Sequence, residues 1–298
     1  MKRFAFLVLF LVACTAAGGP QVTDVHTGTK GITAQMLDQQ KTFAAGSPAS
    51  VSLELKNEGA SDVAEGYLSI NTEEDVLSVE GDRIRRFDLQ GKILGSPVGE
   101  SDIMSIQLKA KSLPPQTAIL TTNVGATICY PYQTQAAFTV CVDTDVLGRV
   151  KTKPCQALPL SSSGEGAPVL VARIEPTYSL ADDHVSVAYQ ITVRNAGTGQ
   201  VYDASKSFEA CTPQALGADW NRAKVTAYLG DDQLACAPAT DESSREASVS
   251  LAKDALVRCE LLGGVSKTAG TYTTTLRVQV DYGYAFTLTK PFQIQRIG

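Results

Sequence analysis

The sequence predicts an all-β protein: two tandem immunoglobulin-like β-sandwich domains that follow a signal peptide and a short tether. Thr, Ser, Val and Gly are frequent and long helix-forming runs are scarce, which favours strands and turns. Short alternating segments separated by turn signals recur, and the first of the two domains has roughly seven strands in about 110 residues, as in immunoglobulin-like sandwiches. The length of 298 residues suffices for two such domains.

The first residues have the pattern of an export signal. A basic Met1-Lys2-Arg3 precedes an apolar run, Phe4 to Val12, that is too short to span a membrane stably. The run ends in Ala13-Cys14 followed by small residues, and this resembles the lipobox of exported prokaryotic lipoproteins. The resemblance implies a signal peptide of residues 1–13 and lipid on Cys14. The alternative is an ordinary secretory signal with a chance cysteine near the cleavage site.

The residues after Cys14 predict a tether, because 14–31 is rich in small residues, Thr and Gly and has no periodicity. The first domain is predicted at 32–145, a linker at 146–166 and the second domain at 167–298. The linker contains a Ser- and Gly-rich run that is typical of a domain boundary.

A duplicated strand supports the two-domain prediction. The stretch Leu53 to Val63 recurs without a gap as Ile191 to Val201. Both copies alternate apolar and polar residues and end in Asn-x-Gly, whose residues tolerate the positive φ of a turn. A second pair of matching stretches, 120–132 and 272–284, reads Thr-Thr, alternating apolar residues and then Tyr-x-Tyr. Two matches in the same order indicate a duplicated small β domain.

The alternation predicts individual strands in both halves. In the first half these are 49–56, 67–70, 102–109 and a closing hairpin of 117–130 with 136–142. In the second half they are 168–175, 185–194, a hairpin of 224–229 with 233–236, then 248–251, 256–261 and two closing strands, 271–284 and 285–294.

Four motifs carry a resemblance to a known family. They are Cys129-Tyr130-Pro131-Tyr132-Gln133-Thr134, Thr139-Val140-Cys141-Val142-Asp143, Gly164-Glu165-Gly166-Ala167-Pro168 and Asp281-Tyr282-Gly283-Tyr284. Together with the strand that ends in Asn-x-Gly, they resemble archaeal-type cell-surface proteins with tandem CARDB-like immunoglobulin-like domains. The resemblance implies β-sandwich modules at the cell surface, and it implies no enzyme activity and no ligand.

The cysteines predict disulfides. With Cys14 lipidated, an even number remains, which favours three bonds outside the cytoplasm. The candidates are Cys129, Cys141, Cys155, Cys211, Cys236 and Cys259. One set of pairings joins Cys129 to Cys141 across the closing hairpin, Cys236 to Cys259 and Cys155 to Cys211. A competing choice joins Cys141 to Cys155. We predict no metal site, because no CxxC occurs and neither histidine lies near a pair of cysteines.

The sequence offers little for catalysis. His26 lies in the tether, His184 lies in a turn, and no nucleophile elbow, HExxH or phosphate-binding loop occurs. We therefore predict no catalytic residues and no cofactor. Acidic groups at 73–75, 143–145 and 231–232 are interpreted as solvated loops, since 143–148 lacks the distal Glu of a calcium loop.

Two tyrosine pairs have two interpretations. Tyr130 with Tyr132, and Tyr282 with Tyr284, could present aromatic surface to a partner or glycan. The alternative is cross-strand packing at the end of a sheet.

These observations predict a non-enzymatic, lipid-anchored cell-surface protein. It would act as a spacer and protein-binding module in adhesion or envelope architecture, with envelope proteins and the membrane as its partners. Nucleic acid is excluded, because there is no basic stripe and loss of Lys2 and Arg3 changes the formal charge from −5 to −7. One alternative is a solute- or glycan-binding accessory lipoprotein, which predicts an aromatic and acidic pocket between the domains. Another is an accessory subunit of an envelope complex or filament, which predicts either one unusually apolar sandwich face or an unpaired edge strand.

Overall fold

A computed structural model describes residues 24–37, 41–212, 216–239 and 244–297. Within these ranges nearly all regular structure is antiparallel β, so the predicted all-β class is confirmed. The predicted signal peptide, the predicted lipidation site Cys14 and most of the predicted tether lie outside the described residues.

The described part of the first half contains eight strands. They are β1 (Ile32–Met36), β2 (Thr42–Ala44), β3 (Pro48–Asn57), β4 (Val63–Thr72), β5 (Leu77–Val79), β6 (Ile84–Leu89), β7 (Ser101–Ala110) and β8 (Ile119–Val142).

The described part of the second half contains eleven strands. They are β9 (Leu160–Ser161), β10 (Val169–Leu180), β11 (His184–Asn195), β12 (Gln200–Tyr202), β13 (Arg222–Leu229), β14 (Asp232–Gln233), β15 (Ala235–Ala237), β16 (Ala247–Ser250), β17 (Ala255–Glu260), β18 (Val265–Ser266) and β19 (Tyr272–Gln295). Short helical turns connect β12 to β13: two 3-10 turns (Ala204–Lys206 and Gly217–Asp219) and α1 (Ser207–Ala210).

The longest strands of the two halves, β8 and β19, pair with each other. Each has 24 residues, and the antiparallel ladder is continuous from one end to the other. The sequence predicted each as two strands around a turn, and this was wrong. Pro131 and Gly283 look like turn residues, but they lie opposite each other in the ladder. The carbonyl of Gln133 accepts a bond from Ser61 and therefore points away from β19. Residues two apart in a strand direct their backbone groups to the same side. Pro131 therefore faces away from β19 as well, and its missing N–H removes no bond between these strands.

The long pair forms the middle of a nine-stranded sheet, whose order is β14-β13-β19-β8-β4-β6. Strands β12 and β2 also pair with β19, and β16 pairs with β13. A four-stranded sheet, β1-β3-β7-β5, comes from the first half, and a six-stranded sheet, β15-β17-β11-β10-β9 with β18, comes from the second. The large sheet thus combines both halves, whereas the domain boundaries at 145 and 167 stay predictions.

The duplicated strands are β3 and β11, as the alternation predicted. Leu53 and Leu55 on β3 are completely buried, and so are Ile191 and Val193 on β11. These side chains belong to one hydrophobic cluster that extends through all three sheets. Because the large sheet contributes to this cluster along its whole length, the two halves share a single continuous core.

Candidate functional site

The four tyrosines that the sequence singled out lie together at the middle of the long strand pair. Tyr130 lies opposite Tyr284, and Tyr132 lies opposite Tyr282. We call these four residues the tyrosine cluster. Their exposed fractions are between 0% and 4%, so the interpretation as aromatic surface for a partner or glycan is wrong. The packing alternative describes them, although they pack at mid-strand and not at a sheet end, because the predicted hairpin tips are continuous strand.

The rings of the tyrosine cluster meet edge to face. The centroids of Tyr130 and Tyr132 are 5.5 Å apart with the planes at 88°. Those of Tyr282 and Tyr284 are 6.4 Å apart at 77°. Such edge-to-face pairs add about 0.5–1.5 kcal/mol each beyond the burial of their surface. The cluster therefore fixes the junction between the two halves.

Each half supplies the same hydrogen bonds to the cluster. The hydroxyl of Tyr130 accepts a bond from the backbone N–H of Ile32 at 3.2 Å. In the other half, the hydroxyl of Tyr282 accepts one from the N–H of Val169 at 3.3 Å. Burial raises the pKa of both tyrosines well above its usual value, because the charged phenolate would lose its solvation. This equivalence supports the duplication read from the sequence.

The other two tyrosines hold the Asn-x-Gly turns. The Tyr132 hydroxyl donates to Oδ1 of Asn57 at 3.2 Å, and that oxygen also accepts the N–H of Gly59 at 3.1 Å. Asn57 is fully buried, and its Nδ2 donates to the carbonyls of Ser61 (2.8 Å) and Leu89 (3.2 Å). A buried amide with several partners fixes its turn strongly, because each unmade bond would cost free energy.

The second turn repeats this arrangement more loosely. Oδ1 of Asn195 accepts the N–H of Gly197 at 3.1 Å, and the Tyr284 hydroxyl lies 3.5 Å from it. The same hydroxyl accepts the N–H of Gly199 at 2.7 Å. Burial raises the pKa of Tyr284.

Glycine is required in both turns because the tyrosine hydroxyls approach the backbone closely. A Cβ at Gly59 would lie 2.0 Å from Oη of Tyr132. A Cβ at Gly197 would lie 2.1 Å from Oη of Tyr284. The sequence indicated turn glycines but gave no sign of this contact.

Three disulfides are present, and they use every predicted candidate. The pairs are Cys129–Cys211, Cys141–Cys155 and Cys236–Cys259. The last confirms the prediction, since Cys236 on β15 lies directly opposite Cys259 on β17. Cys141–Cys155 is the competing choice from the sequence.

The predicted Cys129–Cys141 bond was wrong, and with it Cys155–Cys211. Both Cys129 and Cys141 lie on β8, twelve residues apart, which corresponds to about 40 Å along a strand. Cys211 instead follows α1, which packs on the large sheet where the Tyr67 ring meets Phe208 at 5.3 Å. No local pattern in the sequence places this short helix against β4 and β8.

The acidic group before the linker is paired. Nζ of Lys153 lies 2.6 Å from Asp143 and 3.3 Å from Asp145. Burial opposes ionisation of Asp143, but hydrogen bonds from Lys153 and Thr271 outweigh it and lower its pKa. Backbone N–H groups of Val150 and Arg149 lower the pKa of Asp145. The solvated-loop interpretation was therefore wrong here, because Lys153 of the same chain forms ion pairs with both carboxylates.

A cleft of about 460 Å³ is lined by residues of both halves. Its lining includes Gln135 to Phe138 on β8 and the segment Ser162 to Glu165 before β10. Asp24 and His26, from the start of the described chain, also line it. Tyr228 on β13 and Arg277 to Gln279 on β19 complete the lining. The cleft thus extends over the large sheet from β13 to the edge of β8, beside the segment that leads into the second smaller sheet.

The edge of β8 that faces this cleft has no strand partner among the described residues. Strand β4 covers β8 only as far as Cys129. Beyond it, the carbonyls of Gln133 and Cys141 accept bonds from the side chains of Ser61 (2.6 Å) and Tyr178 (2.5 Å). Successive residues of a strand direct their N–H and C=O groups to alternate sides. Gln135, Ala137 and Thr139, which lie between Gln133 and Cys141 at every second position, therefore also direct these groups away from β19.

Glu165 is the most buried charged residue of the cleft, with an exposed fraction of 6%. Its Oε2 accepts the N–H of Val171 at 3.3 Å. Its Oε1 is buried and has no hydrogen-bond partner in the described part of the chain. Burial raises the pKa of this carboxyl. An unpaired buried acceptor is costly, so Glu165 marks a place where a donor would be stabilised. The sequence placed it only in a linker motif.

Two further findings bear on the class of protein. Among the described residues, no group of three or more His, Cys, Asp or Glu side chains is arranged to hold a metal ion. No helix within the described ranges is long and apolar enough to cross a membrane.

The fold and disulfides define an all-β, disulfide-bonded protein, and three disulfides indicate an extracellular or otherwise oxidising environment. No protein-family model and no curated protein matches the chain. Among solved structures, it is similar to Spo0M, a sporulation control protein from Bacillus subtilis, with 9% identity and a TM-score of 0.17. The match covers 55% of this chain and 80% of that one. At these values it carries no argument about fold or function.

Proposed function

We propose that the protein is a non-enzymatic, lipid-anchored cell-surface protein. Its two fused β-sandwich halves act as a rigid spacer and protein-binding module in adhesion or envelope architecture. The observation that carries the proposal is the use of cysteine. The chain has seven cysteines, and six of them form the three disulfides. The seventh is Cys14, the residue that the lipobox-like sequence assigns to lipid.

The disulfides favour export because such bonds persist in oxidising compartments and are rare in the cytosol. They are also distributed over the molecule. Cys129–Cys211 joins β8 to the segment after α1, Cys141–Cys155 joins the far end of β8 to the linker, and Cys236–Cys259 closes the smaller sheet. A surface spacer must keep its shape without cellular chaperones, and these bonds reduce the freedom of the unfolded chain.

The position of the proposed anchor limits how far the folded part can lie from the membrane. Asp24 lines the cleft beside Gln135, between the tyrosine cluster and the end of β8 at Val142. Cys14 is ten residues before Asp24, a distance of at most about 35 Å for an extended chain. The proposal therefore keeps the start of the described chain within that distance of the membrane.

The test combines cell fractionation with surface labelling. In cells that make the protein, we expect the wild type in the membrane fraction, released by detergent but not by high salt, and labelled by a membrane-impermeant amine reagent. The Cys14→Ala variant should be exported but lose membrane retention, because it has no sulfur to carry lipid. A Cys236→Ala/Cys259→Ala variant, which lacks a disulfide but keeps Cys14, is the matched control and should stay in the membrane fraction. A wild type in the cytosolic fraction that escapes the label would contradict the proposal.

A second candidate function is an accessory subunit of an envelope complex or filament. The open edge of β8 favours it, because an unpaired edge strand is a ready surface for pairing with another chain. The glycan-binding alternative predicts an aromatic and acidic pocket between the domains, and the cleft, which residues of both halves line, includes Tyr228, Asp24 and Glu165.

A further inference from the structure

We infer that an extended segment of a partner protein, carrying lysine or arginine, adds as a strand to β8 at Gln135–Thr139 and places its basic side chain at Glu165. This inference rests on the proposed protein-binding role and names the surface that performs it. Three independent features of the cleft support it. They are the open backbone edge of β8, the wall of chain beside that edge, and the carboxyl oxygen of Glu165 that has no hydrogen-bond partner among the described residues.

The open edge supplies main-chain hydrogen bonds. Gln135, Ala137 and Thr139 each direct an N–H and a C=O away from β19, and none has a backbone partner in the described ranges. The side chains of Ser61 and Tyr178 close the edge at Gln133 and Cys141. The free stretch is therefore five residues, or about 17 Å of strand. Strand addition to such an edge is a common mode of peptide recognition.

The wall of the cleft favours a single extended segment over a second copy of this chain. The segment Ser162 to Glu165 and the residues Asp24 and His26 line the same cleft as β8. They lie side by side, because Gly28 bridges to Glu165, and form one wall beside the edge. A second copy would have to bring its own wall past this one to pair its β8 with the edge. A single strand, about 5 Å from its neighbour in a sheet, needs only the space beside the edge.

Charge favours a basic segment. Glu165 has a buried oxygen without a hydrogen-bond partner among the described residues, and Asp24, which also lines the cleft, adds a second carboxylate. The one arginine of the lining, Arg277, is engaged elsewhere: it donates to the carbonyl of Gly230 at 2.9 Å and lies over the Tyr228 ring at 5.4 Å. An ammonium or guanidinium group is the donor that a buried carboxylate binds most strongly.

The experiment measures binding of a fluorescent peptide, in which lysine, threonine and valine alternate, to the folded mature protein. We expect saturable binding, with backbone amide shifts in the protein NMR spectrum concentrated at Gln135–Thr139. The same peptide with alternate amides N-methylated keeps every side chain but cannot form a ladder, and it should bind at least about tenfold more weakly. Glutamate in place of lysine should also weaken binding.

Two variants locate the site. Ala137→Pro removes one outward N–H, which is tolerated on an edge strand, and should weaken binding about tenfold. Glu165→Gln keeps the size of the side chain and should remove the preference for lysine over glutamate. Asp102→Asn, at an exposed carboxylate on β7 that does not line the cleft, is the matched control and should bind like the wild type.

Several outcomes would overturn the inference. They are equal binding of the N-methylated peptide, shifts that map away from β8, absence of binding, or self-association of the protein that Ala137→Pro abolishes. The first three exclude strand addition, and the last makes a second copy the occupant. Because binding is measured on purified protein, it is independent of location. If surface labelling fails but the peptide binds, only the proposed location is overturned. If surface labelling succeeds but the peptide does not bind, only this inference is overturned.

Discussion

The hydroxyl of Tyr132 donates a hydrogen bond to Oδ1 of Asn57, across 75 positions of sequence, and fixes the first Asn-x-Gly turn to the middle of the long strand pair. The same hydroxyl accepts the N–H of Ser61 at 3.3 Å. The strand of the first half that pairs with the second half thus also holds a turn of its own half. Tyr284 and Asn195 repeat the relationship in the second half.

Removing the Tyr132 hydroxyl should destabilise the protein. Tyr132→Phe leaves the ring in place but removes one partner of the buried Asn57 and one of the Ser61 N–H. We expect a loss of about 1–3 kcal/mol in the free energy of unfolding, because buried polar groups lose partners. Urea denaturation checks this. Tyr228→Phe, at a half-buried tyrosine beside the cleft, is the control, and an equal loss there would count against the hydrogen-bond explanation.

The turn glycines should tolerate no side chain. Gly59→Ala forces a Cβ to within 2.0 Å of the Tyr132 hydroxyl, so the strand or the ring must shift. We expect a loss of about 3 kcal/mol, at the upper end of the range for overpacked sites. The matched control is Gly125→Ala on β8, where the nearest atom to a new Cβ is 3.4 Å away. Similar melting temperatures for the two variants would mean that the close approach is absent in solution.

The disulfides should differ in their contribution to stability. Cys129–Cys211 closes a loop with a sequence separation of 82, against 14 for Cys141–Cys155. By the loop-entropy relation, removal should cost about 4.5 and 3 kcal/mol respectively. Paired Cys→Ala variants measured by urea denaturation test the order. A larger loss from the short loop would show that strain or residual structure, and not loop length, controls the effect.

The tyrosine cluster should make stability fall at alkaline pH. Burial raises the pKa of Tyr130 and Tyr282 well above 10 in the folded protein. Stability is therefore fully present below about pH 10, and it is lost above it because the unfolded chain ionises while the folded chain stays protonated. Above that pH, each buried tyrosine should lower the free energy of unfolding by about 1.4 kcal/mol per pH unit.

The slope of stability against pH tests this directly. Unfolding in urea between pH 9 and 11.5, followed at 295 nm, should show phenolate absorbance appearing together with unfolding. Tyr282→Phe should reduce the alkaline slope, whatever its effect at pH 7. Absorbance that rises in the folded protein before unfolding would show that the cluster is open to solvent.

Local sequence pattern predicted much of this structure. Period-two alternation located β3, β7, β11 and β13, because one face of each strand is buried and the other is wet. The repeated Asn-x-Gly turns were also recognised from residue type, but the positive φ expected there was wrong, because no residue of either turn has one. The turns form because each asparagine accepts the backbone N–H two residues on.

The remainder depends on contacts between distant segments. Pro131 and Gly283 predicted turns, but the ladder between β8 and β19 keeps both in strands because each faces the other half of the duplication. Cys129 finds Cys211 only after α1 folds onto the large sheet. The burial of Glu165 likewise depends on how the segment before β10 crosses the first residues of the described chain, where Gly28 bridges to it. No single stretch of sequence contains this information.

The most direct test of the account is the covalent state of the protein taken from native membranes. Intact mass and non-reducing peptide mapping should show loss of Met1 to Ala13, lipid on Cys14, and linked peptides for the three disulfides of the structure. That result would support an anchored and oxidised surface module. An unprocessed leader together with free thiols would contradict it, and the proposed location and the disulfide-stabilised spacer would both have to be abandoned.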